Sequence, residues 1–144
     1  MAFPAVCLIH EVTGIKRMLA GLGVDLIEVG RIRKALDRWG ERFIRRVFTA
    51  EEKRYSLRKA FPEQSFAARF AAKEAVLKAL GTGLSGGIGW TQVEIVNNKN
   101  GKPEVKLGKK ITARIGEKKI LISLSHTKEF AIAFAALVED NKFS

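Results

Sequence analysis

Phe66-Ala-Ala-Arg69-Phe70-Ala-Ala-Lys73-Glu74-Ala-Val-Leu77-Lys78 is the stretch on which the reading of this chain turns. At the helical period, Phe66, Phe70 and Leu77 fall within an arc of about 40°. Lys73 lands inside the same apolar face, between Leu77 and Leu80. Glu74 lands about 40° beyond Phe70, on its border. A charge on the packed side of a helix is costly without a partner. Two readings stay open on spacing alone. In one, Lys73 snorkels to solvent and Glu74 pairs with Lys78 at i,i+4, worth about 0.3–0.5 kcal/mol. In the other, these charges belong to a site.

Working outward, the helix is predicted from Glu63 to Leu80. Phe61-Pro62 stops whatever precedes it, and Gly81 is a natural residue to follow a helix end. Upstream, Thr49-Ala-Glu-Glu52 has the pattern of a capping box and predicts a helix to about Lys59. Before that, Ile32, Leu36, Trp39 and Phe43 recur at helical spacing, which predicts one amphipathic helix over Arg31 to Val47, weakened at Gly40. Leu19 to Val29 reads as a strand, with Val24 and Leu26 on one face and Asp25 and Ile27 on the other. Downstream of the glycine-rich loop Gly81 to Gly89, strands are predicted over Trp90–Val96, Glu104–Leu107, Lys119–Ser125 and Phe130–Val138, with a short helix at Lys109–Ile115. Strands joined by short turns, with a helical block between them, give an α+β fold: an antiparallel sheet packed against helices. Met18 precedes the first strand pattern, so residues 1–17 are expected as an N-terminal extension, either ahead of a biological start at Met18 or an ordinary N-terminal arm. Residues 18–144 are expected as a single domain.

The chain has 144 residues, and its 26 Lys and Arg against 15 Asp and Glu give a net charge of +11, so an acidic partner is expected. With 47% hydrophobic residues, the composition argues against disorder. The apolar runs stop well short of a bilayer span, and no membrane partner is expected. A single cysteine, Cys7, excludes a disulfide framework and fits a cytoplasmic location. His10 is isolated and is given no role.

Asp25 interrupts an apolar strand. It is either a strand-end carboxylate in solvent or one that needs a cation, a metal or backbone donors. Asp25 with Glu74 would make a two-carboxylate site suited to Mg²⁺. Gly81–Gly89 is not a Walker A sequence, and its glycines serve equally to approach a phosphate or to link helix to strand. Ser123-Leu-Ser125-His126-Thr127 at a strand end suits phosphate binding, and no nucleophile elbow accompanies it. Arg31, Lys34, Arg38, Arg42 and Arg45 form a basic stripe, either solvated or docking an acidic surface.

In order along the chain, Gly23-Val-Asp-Leu-Ile-Glu-Val-Gly-Arg-Ile32, Arg69-Phe-Ala-Ala-Lys-Glu-Ala75, Gly81-Thr-Gly83, Asn100-Gly-Lys-Pro103 and Ser123-Leu-Ser-His-Thr127 resemble the small bacterial holo-[acyl-carrier-protein] synthase family of 4′-phosphopantetheinyl transferases. The resemblance covers about Met18 to Val138. It implies a metabolic transferase of lipid and fatty acid biosynthesis. Coenzyme A gives 4′-phosphopantetheine to a serine of apo acyl carrier protein, and 3′,5′-ADP leaves. By carry-over, Asp25 and Glu74 are implied as Mg²⁺ ligands, Glu74 as acceptor of the serine proton directly or through a water, and Lys78 as the cation near the pyrophosphate. Arg69, Lys73, His126 and Thr127 are implied as phosphate contacts, Asn100 and Pro103 as part of the adenine pocket, and Gly81 as the helix-end glycine that ligand approaches. Arg31, Arg38, Arg42 and Arg45 would face the acidic carrier protein. The family resemblance also implies a homotrimer with coenzyme A bound between neighbouring subunits. The competing reading is a basic α+β module that binds nucleic acid, which accounts for the charge and leaves Asp25 and Glu74 without purpose. An inactive interaction protein of the same fold is argued against by the intact Asp25, Glu74 and Lys78.

Overall fold

The computed structural model describes residues 9–10 and 16–141. Cys7 and most of the expected extension, residues 1–8 and 11–15, lie outside them. The element order is β1 (Ile9–His10), β2 (Lys16–Glu28), α1 (Val29–Trp39), α2 (Glu41–Val47), α3 (Ala50–Leu57), α4 (Pro62–Leu80), β3 (Val93–Asn97), β4 (Pro103–Leu107), α5 (Lys109–Ile115), β5 (Lys119–His126) and β6 (Phe130–Asn141). The strands form an antiparallel sheet in the order β1-β2-β6-β5 and a separate antiparallel pair, β3-β4. This is the α+β arrangement the strand and helix patterns predict.

Helix α4 lies against the sheet, and small residues decide how closely. Ala67, Ala71, Ala72 and Ala75 of α4 are fully buried, as are Ala131, Ala133 and Ala135 of β6. A Cβ built on Gly21 would collide with the carbonyl oxygen of Ala79, and one on Gly23 with that of Ala75. Only glycine at these positions lets the backbone of β2 touch the backbone of α4. A second layer closes the other side of α4. There Phe48 packs on Phe66, with centroids 4.8 Å apart, and Phe70 on Trp90, with centroids 5.0 Å apart.

The opposite face of the sheet is apolar and bare. Leu22, Val24 and Leu26 of β2, Ile132 and Phe134 of β6, and Leu121 of β5 are 42–62% exposed. Their registers place Val24 opposite Phe134 and Leu26 opposite Ile132, so they form one continuous patch.

Four local expectations change. The helix expected over Arg31–Val47 is two helices, because Gly40 takes φ +48° and ψ −127°, a break that only glycine adopts easily. The basic stripe is therefore divided between α1 and α2. Trp90–Gln92 is a 3₁₀ turn, and the strand begins at Val93. Strand β2 begins at Lys16, so it runs through the boundary expected at Met18. Pro62 opens α4 rather than only preceding it, at the first turn where its missing N–H costs nothing.

Candidate active site

The close approach at Gly23 brings Asp25, two residues further along the same face of β2, beside the outer turns of α4. There Lys78 Nζ donates to Asp25 Oδ1 at 3.0 Å and to the Val24 carbonyl at 2.9 Å. The Asp25 side chain is only 16% exposed and that of Lys78 is 52% exposed. Asp25 is thus a partnered carboxylate, not a solvated strand end, and Lys78 pairs across to β2. Glu74 stands on the same side of the helix. Burial raises its pKa above the ordinary 4.5, and the Asp25 charge adds to the rise while Lys78 opposes it. Two carboxylates and one ammonium leave one negative charge uncompensated in a half-buried site.

Three further predicted residues gather on the other side of α4. Arg69, Pro103 and His126 line a cavity of about 390 Å³ together with Tyr55, Lys59, Ser65 and Asn97. No carboxylate lines it. The Arg69 guanidinium is almost wholly buried. Its Nη2 donates to Asn97 Oδ1 at 2.8 Å, and its Cζ lies 3.7 Å from the ring centroid of Tyr55. Burial lowers the Arg69 pKa, against the favourable fields of Tyr55 and Glu52. His126 reaches this side because it follows Ile122 and Leu124 at every second residue of β5.

Other expected residues are placed differently. Lys73 is a correction. It is 0% exposed, pairs with Glu52 at 2.7 Å and donates to the carbonyls of Val93 and Trp90 at 2.6 and 3.1 Å. An ammonium engaged three times inside the core has no geometry for a phosphate contact, and it does not snorkel. Burial lowers its pKa, opposed chiefly by Glu52. The Thr127 hydroxyl oxygen accepts from the N–H groups of Glu129 and Phe130, so it shapes the β5–β6 turn. Asn100 is exposed in the turn before β4, where its N–H donates to Asn98 Oδ1. Gly81 ends α4 at φ +71°, and a Cβ there would meet nothing within 4 Å, so backbone conformation rather than crowding requires it. Arg31, Arg38, Arg42 and Arg45 are all exposed, and only Arg45 makes an ion pair among the described residues, with Glu41 at 3.5 Å.

Sequence reading missed Glu52, Tyr55 and Asn97. The capping box is present, with Thr49 N–H donating to Glu52 Oε2 at 2.8 Å, yet Glu52 also accepts from Ile95 N–H at 2.8 Å and holds Lys73. A buried cation on α4 was the signal that an acid had to lie opposite it. Tyr55 and Asn97 left no such signal.

The two clusters open on opposite flanks of α4. Register places Asp25 beside Ala133 and Ala133 beside Leu124, so β2 and β5 sit two strand spacings apart, about 10 Å.

A fold of this kind, with paired acids beside a lysine and a separate cationic cavity, is that of a transferase family. Residues 21–135 match the model of the 4′-phosphopantetheinyl transferase superfamily, and the chain belongs to it. Among its relatives, the holo-[acyl-carrier-protein] synthase of Protochlamydia amoebophila is 49% identical over 118 residues, 82% of this chain and 97% of that protein. The crystal structure of the holo-[acyl-carrier-protein] synthase from Neisseria meningitidis superposes with a TM-score of 0.77 at 32% identity, over 83% of this chain and 98% of that one. The Helicobacter pylori enzyme, solved in complex with coenzyme A, gives 0.74 at 28% identity, over 81% and 98% of the two chains.

Proposed function

We propose that this chain transfers 4′-phosphopantetheine from coenzyme A to a serine hydroxyl of apo acyl carrier protein, with release of 3′,5′-ADP, in the service of fatty acid biosynthesis. The observation that carries it is the Asp25–Glu74–Lys78 cluster in a member of this superfamily whose relatives are holo-[acyl-carrier-protein] synthases. The serine oxygen forms a bond to the phosphorus that bears pantetheine. The bond from that phosphorus to the oxygen of the 3′,5′-ADP phosphate breaks, and the serine proton passes to Glu74. Glu74 stands on the same side of α4 as Lys78, beside Asp25, where it can take that proton directly or through a water. Lys78 is half exposed beside it and offers its remaining N–H to the pyrophosphate, where negative charge grows on the leaving group.

Asp25 and Glu74 are the residues that would hold Mg²⁺. Among the described residues no group of three or more Asp, Glu, His or Cys gathers around a point. Two carboxylates with an uncompensated charge still fit this ion, which usually takes the rest of its shell from water and substrate phosphates. When bound, it supplies charge neutralisation on the pyrophosphate.

The cationic cavity of Arg69 and His126, walled by Pro103, is the place for the nucleotide phosphates of coenzyme A, with the Asn100–Pro103 turn at its adenine end. In one subunit this cavity and the carboxylate cluster open on opposite flanks of α4. That supports a homotrimer in which each site takes one flank from each of two neighbours. The bare face of Leu22, Val24, Leu26, Ile132 and Phe134 supports the same assembly, since apolar patches of this kind mark protein contacts. The exposed Arg31, Arg38 and Arg42, free of ion pairs among the described residues, together with Arg45, suit an acidic carrier. A cytoplasmic setting matches these partners, and no helix among the described residues is long and apolar enough to cross a membrane. Nucleic-acid binding is not favoured, because the acids of the cluster would repel a phosphate backbone.

The test is an intact-mass assay of apo acyl carrier protein incubated with the chain, coenzyme A and Mg²⁺, with EDTA as control. The expected outcome is a gain of one phosphopantetheine that EDTA abolishes. A carrier of unchanged mass beside well-folded protein would overturn the assignment.

A further inference from the structure

The cationic cavity contains an arginine held with unusual firmness. Arg69 is 4% exposed, yet no carboxylate binds it. Its fixed partners are neutral: Asn97 Oδ1 on Nη2 at 2.8 Å and Ser65 Oγ on Nη1 at a long 3.5 Å. Its Nε is buried with no hydrogen-bond partner. A buried arginine held only by neutral acceptors keeps its full positive charge facing the cavity it lines.

What holds the guanidinium is an aromatic face. The Tyr55 ring lies 3.7 Å from Arg69 Cζ and carries a second cation, Lys59 Nζ, at 4.4 Å. Tyr55 and Arg69 together line both the 390 Å³ cavity and a neighbouring one of about 410 Å³, so the stacked pair is the wall between them. One face of the guanidinium is therefore closed by the ring and one end is pinned by Asn97. Tyr55 is reached from α3, whose start is fixed by the Thr49–Glu52 capping box, and Asn97 from β3, whose Ile95 N–H bonds the same Glu52.

We infer that Tyr55 is a positioning residue for phosphate binding: its ring, packed against Arg69 Cζ, holds the guanidinium in the cavity wall where it meets a phosphate. The inference rests on the reading that this cavity receives a phosphate of coenzyme A. Tyr55 acts through Arg69 and need not touch the ligand. A cation–π contact at a partly buried site is worth about 0.5–2 kcal/mol, which is about 2- to 30-fold in affinity.

The experiment compares Tyr55→Leu, Tyr55→Phe and Arg69→Ala in the whole protein. Calorimetry gives the Kd for 3′,5′-ADP, and steady-state assays with apo acyl carrier protein give KM for coenzyme A and kcat. Tyr55→Leu should raise Kd and KM about 2- to 30-fold with kcat unmoved. Tyr55→Phe should restore most of the affinity, because the ring remains. In the Arg69→Ala background, Tyr55→Leu should have no further effect. Should Tyr55→Leu not fold, Tyr55→Met carries the same comparison. If Arg69→Ala weakens binding and Tyr55→Leu does not, the positioning role is overturned while the cavity keeps its ligand. If Tyr55→Phe loses as much as Tyr55→Leu, the hydroxyl matters and the stack does not, which also overturns it. If Arg69→Ala itself leaves Kd and KM unchanged, the cavity does not hold the phosphate, and the inference falls with that reading.

Discussion

Lys73 and Lys78 lie five residues apart on α4, each beside a carboxylate, and the fold treats them in opposite ways. Lys73 is sealed in the core with Glu52 at 2.7 Å and two carbonyl acceptors. Lys78 is half exposed beside Asp25 at 3.0 Å. The first has every donor engaged, and burial of both charges makes the pair essential once formed. The second keeps an N–H for solvent or ligand. The same residue type on one helix is thus locked into the core at one position and left open to solvent at the other, where the proposed chemistry needs it, and what separates them is which flank of the helix they occupy.

The sharpest test of that division is at Glu74, next to both. Glu74→Gln keeps shape and removes the proposed proton acceptor, so kcat should fall about 10²- to 10⁴-fold. The melting temperature should hold or rise, because a half-buried charge beside Asp25 is lost. Turnover near the parent value would remove Glu74 from the mechanism. Crossing the two lysines comes next. Lys73→Met leaves Glu52 without its cation and should cost about 3–5 kcal/mol in denaturant unfolding, with the activity of the folded fraction retained. Lys78→Met should cost under about 1 kcal/mol, since the pair is exposed on one side, yet lower kcat measurably. If both variants lost stability equally, the contrast between the flanks would be wrong.

A smaller effect is expected in surface docking. Arg31→Glu with Arg38→Glu should raise KM for the carrier protein well above any change in KM for coenzyme A. Equal changes in both would refute a carrier face on α1. The pH dependence of stability is smaller still. Glu74 has a raised native pKa, so the native state holds a proton where the unfolded chain has released it. Stability then falls as pH rises from the unfolded value near 4.5 through the higher native value. Glu74→Gln should flatten that limb in melts run across the window. The smallest change is expected on removal of residues 1–17, which takes away β1 and the first two residues of β2 at the end of the sheet and should leave transfer activity intact; a dead product would show that the fold needs them.

Much of this was legible in the chain itself. Period and punctuation located α3, α4, α5 and the long strands, because Thr49-Ala-Glu-Glu52, Gly81 and the alternating apolar runs act locally. Gly40 was visible only as a weak point. Its break depends on a φ of +48°, which the helical spacing of Ile32, Leu36, Trp39 and Phe43 does not announce. The paired acids of Asp25 and Glu74 were readable as residues out of place, although their role leaned on the family motifs. The Lys73–Glu52 pair, 21 positions apart, and the Arg69–Asn97 bond, 28 apart, have no local signature. In the case of Lys73, motif carry-over pointed outward where the fold points inward. A charge in an apolar stripe says that a partner exists and not whether the partner is protein or ligand.

Glu52 binds the first turn of α3, the ammonium on α4 and the amide of Ile95 on β3 through a single carboxylate. These three elements therefore have no means of separating one at a time. Opening any of them exposes an unpaired charge to the others, so fraying is suppressed until all three open together. Amide exchange at Ile95 should then occur only through that concerted event, and at the rate shared by the inner turns of α4. The flank that carries the Arg69 cavity is therefore expected to open as one unit, whereas Asp25, bonded through Lys78 on the other flank, stands outside that knot.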